Sequence, residues 1–110
     1  MKVDQKGHTT TLRNTQGDCQ AFLEKITNQY ATFQKQNLIL DLSQDKSVSL
    51  TEIKLFSSLS KAHKKNKKSL VLVVDNADID KIPVTMSVVP TLLEAHDTIE
   101  IEEIERDLGF

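Results

Sequence analysis

The chain has 110 residues, of which 38% are apolar and 27% charged, and its 14 Lys and Arg against 16 Asp and Glu leave a net charge of −2. That is length for one domain with a real core, residues 1–110, and the balance is globular rather than disordered. The charge argues neither for a nucleic-acid binder nor for an acidic tail, while a single cysteine excludes an internal disulfide and fits a reducing compartment. Met1–Gly7 lacks the apolar segment of a secretion signal and no apolar run approaches a membrane span, so the expectation is a soluble cytoplasmic domain without membrane contact.

Residues 2–13 alternate weakly around Gly7 and are rich in threonine, which predicts a hairpin with strands near 2–5 and 8–13. Thr15 and Asp18 frame a helix start. Cys19, Phe22, Leu23, Ile26, Tyr30 and Phe33 then recur at helical spacing, one apolar stripe over roughly five turns.

The stretch from Asn37 to Ile53 organises the rest. Leu38, Ile39, Leu40 and Leu42 suit a strand buried on both faces. Ser49 and Glu52 are spaced for a capping box, in which the serine accepts from the Glu52 amide and the carboxylate reaches back. Val48 and Ile53 are placed for the accompanying hydrophobic staple. Strand, polar loop and capped helix thus gather Asp41, Asp45, Ser47, Ser49 and Thr51 near the strand's C-terminal end. In open α/β sheets that edge is where ligands and partners are met.

Leu50, Ile53, Phe56, Leu59 and Ala62 form the predicted inner face of the capped helix. Its tail is basic, with Lys61, Lys64, Lys65, Lys67 and Lys68, and positive charge there complements the helix dipole. Ser69–Val74 reads as a central parallel strand. Asp75, Asn76 and Asp78 end it in a polar loop, followed by a short helical turn over 77–82. Residues 84–90 hold β-branched residues and close on Pro90, which suits a strand end. Thr91 and Glu94 make a second capping box. The last helix is expected over 92–107, burying Leu92, Ala95 and Ile99, with Ile104 and Leu108 as further candidates. The alternation at Thr98–Ile101 leaves a small strand open there. The order is β-β-α-β-α-β-(α)-β-α: an α/β fold, with a mixed, mostly parallel sheet and an antiparallel hairpin edge.

Most chemistry is disfavoured by this sequence. His8, His63 and His96 are far apart and Cys19 has no ligand partner nearby, so neither a metal site nor a cofactor is expected. Cys19 lies in a helix's first turn, where the dipole lowers a thiol pKa, but also on the apolar stripe, and burial outweighs reactivity. Gly7, Gly17 and Gly109 cannot build a P-loop or a dinucleotide fingerprint. Asp41 and Asp75 both end strands, which invites comparison with phosphoacceptor aspartates, yet Asp45 and Asp78 do not supply the acidic pair that magnesium needs. Strand-end aspartates more often cap or turn.

The element order resembles the STAS domain, the family of bacterial anti-sigma-factor antagonists and of the cytoplasmic tails of sulphate transporters. Leu-Ile-Leu-Asp-Leu-Ser at 38–43 is similar to the family's strand ending in Asp-(apolar)-Ser. Val-Val-Pro-Thr-Leu-Leu-Glu-Ala at 88–95 is similar to its final strand-to-helix turn. The C-terminal half resembles short Bacteroidetes proteins of this type, some carrying a ribonuclease Z label; that enzyme's dense His/Asp zinc motif has no counterpart among three scattered histidines. Antagonists of the family carry Asp-Ser-Ser-Gly after the strand. Counting from Asp41 puts Ser49, Leu50 and Thr51 over it, with leucine at the phosphoserine position and Glu52 at the glycine.

The resemblance implies a STAS-like fold and a non-catalytic regulatory module whose partner is a protein, such as an anti-sigma-type kinase or another regulator. Asp45, Ser47, Ser49, Leu50 and Thr51 are the candidate partner-binding residues, with Ser49 and Thr51 as candidate phosphate acceptors. The alternative is an accessory factor for nucleic-acid or RNA processing that uses the basic segment 61–68.

Overall fold

The computed structural model describes residues 1–15, 17–46 and 48–109, with the backbone alone at Ile79. Its first element is the hairpin β1 (Lys2–Lys6) and β2 (Thr9–Arg13). Gly7, the first of the two turn residues, has φ +60°, a conformation that glycine adopts without a Cβ penalty. Every β1 residue is exposed, and the charges of Lys2, Asp4 and Lys6 on this edge discourage further strand pairing.

The hairpin is one side of a five-stranded sheet in the order β1-β2-β3-β4-β5, where β3 is Asn37–Asp41, β4 Leu70–Val73 and β5 Ser87–Val89. The hairpin pairs antiparallel, and β2, β3, β4 and β5 run parallel to one another. The α/β expectation holds. Register places Leu12 beside Leu40, Leu40 beside Leu72 and Leu72 beside Val88, so one apolar row crosses the sheet.

Because strand side chains alternate, the sheet has two different apolar faces. Leu38, Leu40, Leu42, Leu70 and Leu72 pack with Phe22, Ile26, Phe33, Ile53, Phe56 and Leu59 of the crossover helices. Ile39, Val71 and Val73 pack with Ala95 and Ile99 of the last helix. Both helical crossovers lie on the first of these faces, and Ala77, Ile82 and Met86 of the third connection pack there too, as same-handed connections moving one way across a sheet require.

Each long helix of the first layer is broken. The stripe from Cys19 to Phe33 forms α1 (Cys19–Asn28) and α2 (Tyr30–Phe33), separated at Gln29. Thr27 bonds back to the Leu23 carbonyl at 2.8 Å, a contact that bends helices. The segment after Ser49 divides into α3 (Leu50–Lys54) and α4 (Ser57–Lys65). The predicted inner face explains this second break: apolar residues spaced by three drift about 60° per step around a straight α-helix. The break lets Phe56 enter the core and resets the face, so that Leu59, Ser60 and His63 are buried. Ala62, expected to face inward, is exposed instead.

At the far edge β5 is shorter than expected. The Met86 amide bonds the Pro83 carbonyl at 3.0 Å, and this turn leaves Val84 fully exposed. The short helical turn expected before it is a 3-10 turn over Ile79–Lys81. α5 runs from Leu92 to Asp107 and settles Thr98–Ile101 as helix. Thr91 caps it by accepting from the Glu94 amide at 3.2 Å. Ala95 and Ile99 are buried as expected, but Ile104 and Leu108 are 53% and 66% exposed. The helical repeat is the reason: three and seven residues beyond Ile99 come Glu102 and Arg106, which take the inward face. Glu102 accepts from the Ser69 hydroxyl at 2.6 Å, and Arg106 donates to the same oxygen at 3.0 Å and to Asn37 Oδ1 at 3.4 Å. Among the described residues, no helix is long and apolar enough to cross a membrane.

Candidate functional site

The candidate residues sit at the C-terminal edge of the parallel strands, on a loop that is anchored from beneath. Asp41, the last residue of β3, is buried and its carboxylate is fully used. Oδ1 accepts from the Ser43 amide at 2.9 Å and from the Ser43 hydroxyl at 2.6 Å. Oδ2 accepts from Arg13 Nε at 3.2 Å, from the neighbouring strand in register. This is the local side-chain turn that aspartate favours at a strand end. Asp41 is therefore a structural anchor, and Arg13, which the sequence did not single out, is its counterion.

The far end of the loop is fixed by the expected capping box. The Glu52 amide donates to Ser49 Oγ at 3.1 Å, and the Ser49 amide donates to Glu52 Oε1 at 3.0 Å. Val48 packs against the core cluster that contains Ile53, as the staple requires. Between the anchors, the Asp45 amide bonds the Leu42 carbonyl at 3.1 Å, and Lys46 crosses to Asp75 at 2.5 Å. That ion pair ties the β3–α3 loop to the loop that leaves β4. Ser49 and Thr51 are exposed, whereas Leu50 and Asp45 are half-buried. Ser47 lies outside the described residues.

Cys19 lies beneath this edge. It is buried, and its thiol is pushed up to about 12, chiefly by burial and then by Glu52, Asp45 and Asp18, with a hydrogen bond to Glu52. Asp18 itself caps α1, accepting from Gln20 and Ala21 amides at 3.0 and 3.2 Å. The dipole effect that could have activated this cysteine is overridden by desolvation and surrounding carboxylates. The thiol is an inert part of the support.

No family model and no curated protein matches this chain. Among the described residues, no three His, Cys, Asp or Glu side chains come together in a way that could hold a metal ion.

The basic segment is not part of this edge. α4 carries Lys61, Lys64 and Lys65 back towards the other end of the strands. There Lys64, Lys67 and Lys68 share a cleft with Glu102, Glu105 and Arg106. Lys64 also donates to the Thr85 carbonyl. Two acids and the carbonyl end of α4 already offset much of this positive charge.

His63 was missed by sequence reasoning. It is fully buried, with Nε2 2.7 Å from the Gln36 carbonyl and Nδ1 2.7 Å from Tyr30 Oη. A carbonyl can only accept, so Nε2 carries the proton, and Nδ1 accepts from the tyrosine. Tyr30 Oη in turn accepts from Asn66 Nδ2 at 2.9 Å. Burial, then the positive charges of Lys68 and Arg106, hold the imidazole below its ordinary pKa, against the Gln36 bond. The chain of bonds joins α2, the approach to β3 and the end of α4. It secures the helical layer at the end opposite the candidate loop.

Proposed function

We propose that the chain is a non-catalytic, cytoplasmic protein-interaction module of STAS type that docks a regulatory partner through the β3–α3 loop and the start of α3. The observation that carries this reading is the combination of a loop anchored from beneath and an exposed outer surface. Asp41 and Glu52 are occupied in holding the backbone and Cys19 is buried beside Glu52, while Ser49 and Thr51 face outward. Such an edge presents a fixed shape to a partner, and a fixed shape lowers the ordering cost of binding. An anti-sigma-type kinase or another protein regulator fits that role.

Ser49 and Thr51 would act differently as phosphate acceptors. The Ser49 hydroxyl already accepts from the Glu52 amide, beside the Glu52 carboxylate. A phosphate there would meet like charge and open the capping box. A phosphate on exposed Thr51 would recharge the surface without touching either capping bond.

Affinity capture from native lysate with wild type, Ser49→Asp and Thr51→Asp tests the proposal. A specific protein whose recovery changes with either substitution supports it. Identical partners for all three remove the switch, and recovery of nucleic acid in place of protein would transfer function to Lys61–Lys68.

A further inference from the structure

α5 has a second apolar face. Its inner side, Ala95 and Ile99 with Leu92 alongside, packs on Ile39, Val71 and Val73. At 3.6 residues per turn, Leu93, Ile101, Ile104 and Leu108 fall within an arc of about 80° on the side turned away from the sheet. They are 72%, 56%, 53% and 66% exposed. The stripe they form extends over roughly 22 Å of helix. A helix that is apolar on both sides is ordinarily covered on both, and aligned exposed aliphatics mark interaction surfaces where scattered ones do not.

The border of this stripe is acidic. Asp97 lies within it, and Glu94, Glu100, Glu105 and Asp107 flank it at helical spacing. The helix's one arginine, Arg106, turns to Ser69 and Asn37 on the inner side. At the C-terminal end Glu105 also lines the cleft with Lys64, Lys67 and Lys68. Pairing with the same face of a second copy would set these acidic rows against each other, and an anionic membrane surface would be repelled in the same way. A narrow, straight, one-helix-long apolar stripe with acidic borders complements a helix that has the same stripe and basic borders.

We infer that the outer face of α5 docks a partner protein's amphipathic helix whose apolar face is bordered by Lys and Arg. This surface is separate from the β3–α3 loop and does not depend on the function proposed for it.

Fluorescence anisotropy of the full chain with two labelled designed peptides tests the inference. Both peptides carry the same Leu stripe, one bordered by Lys and the other by Glu. The Lys-bordered peptide is expected to bind and to weaken as salt rises, and the Glu-bordered peptide to fail. A double variant, Ile101→Ser with Ile104→Ser, is expected to lose about tenfold or more in affinity, with its thermal midpoint near wild type because both side chains are largely exposed. Leu55→Ser, at an exposed apolar residue on the helical layer, should bind as wild type does. Absence of binding, equal binding of both peptides, or insensitivity to the double variant would overturn the inference. So would a wild-type dimer in sedimentation that the double variant dissociates, since the occupant would then be a second copy.

Discussion

Buried His63 makes the stability of this protein depend on pH in a calculable direction. Burial holds the folded imidazole neutral and below its ordinary value of 6.5, whereas the unfolded chain takes up a proton near that value. The unfolded state therefore binds more protons as pH falls, and unfolding becomes easier. This contribution is fully present above 6.5 and is lost progressively as pH falls from there toward the folded pKa. The slope is up to about 1.4 kcal/mol per pH unit. Between about pH 7.5 and pH 5.5, a span above most carboxylate titration, wild type should lose stability, by no more than about 1.4 kcal/mol.

Urea unfolding across that span measures the loss directly through the midpoint. His63→Gln separates this titration from any other. It gives up the bonds to Tyr30 and Gln36 and should lower stability at the upper pH by roughly 1–3 kcal/mol. Its pH slope should then be much flatter than wild type. A flat wild-type profile, or an unchanged slope in the variant, would refute the assignment of a buried neutral histidine.

Two further perturbations probe the support under the candidate loop. Arg13→Ala leaves the Asp41 carboxylate buried without its counterion and should cost about 1–3 kcal/mol by urea midpoint, with Arg13→Lys restoring part of it. Cys19, with its thiol pushed up to about 12, should resist a thiol reagent in the folded protein at mildly alkaline pH and react freely once urea unfolds it.

What the sequence made legible was what is written locally. The capping box of Ser49 and Glu52, a helix start between Thr15 and Cys19, and the buried runs 38–42 and 69–74 are set by neighbours in the chain, and each appears where expected. The breaks at Gln29 and at Leu55–Phe56 were hidden because the apolar spacing continues through them, and only packing on the sheet decides where a helix must turn. His63 stood out only as one of three scattered histidines because its partners, Tyr30 and Gln36, are 33 and 27 residues away. Arg13 was invisible for a similar reason: its role depends on the β2–β3 register, which pairs it with Asp41. Ile104 and Leu108 looked like core because they are apolar on a helix that has a buried side. The inward positions beyond Ile99 instead belong to Glu102 and Arg106, which bond the Ser69 hydroxyl and the Asn37 side-chain oxygen.

The central claim is that the outer surface at the start of α3 meets a protein partner. Photo-crosslinking in cells tests it most directly, with the reactive group placed at Thr51 in one variant and at Lys61, also exposed but on the basic segment, in the other. The account predicts a discrete protein adduct from position 51 that position 61 does not form. A discrete adduct from position 61 alone, or nucleic acid in place of protein, would contradict it.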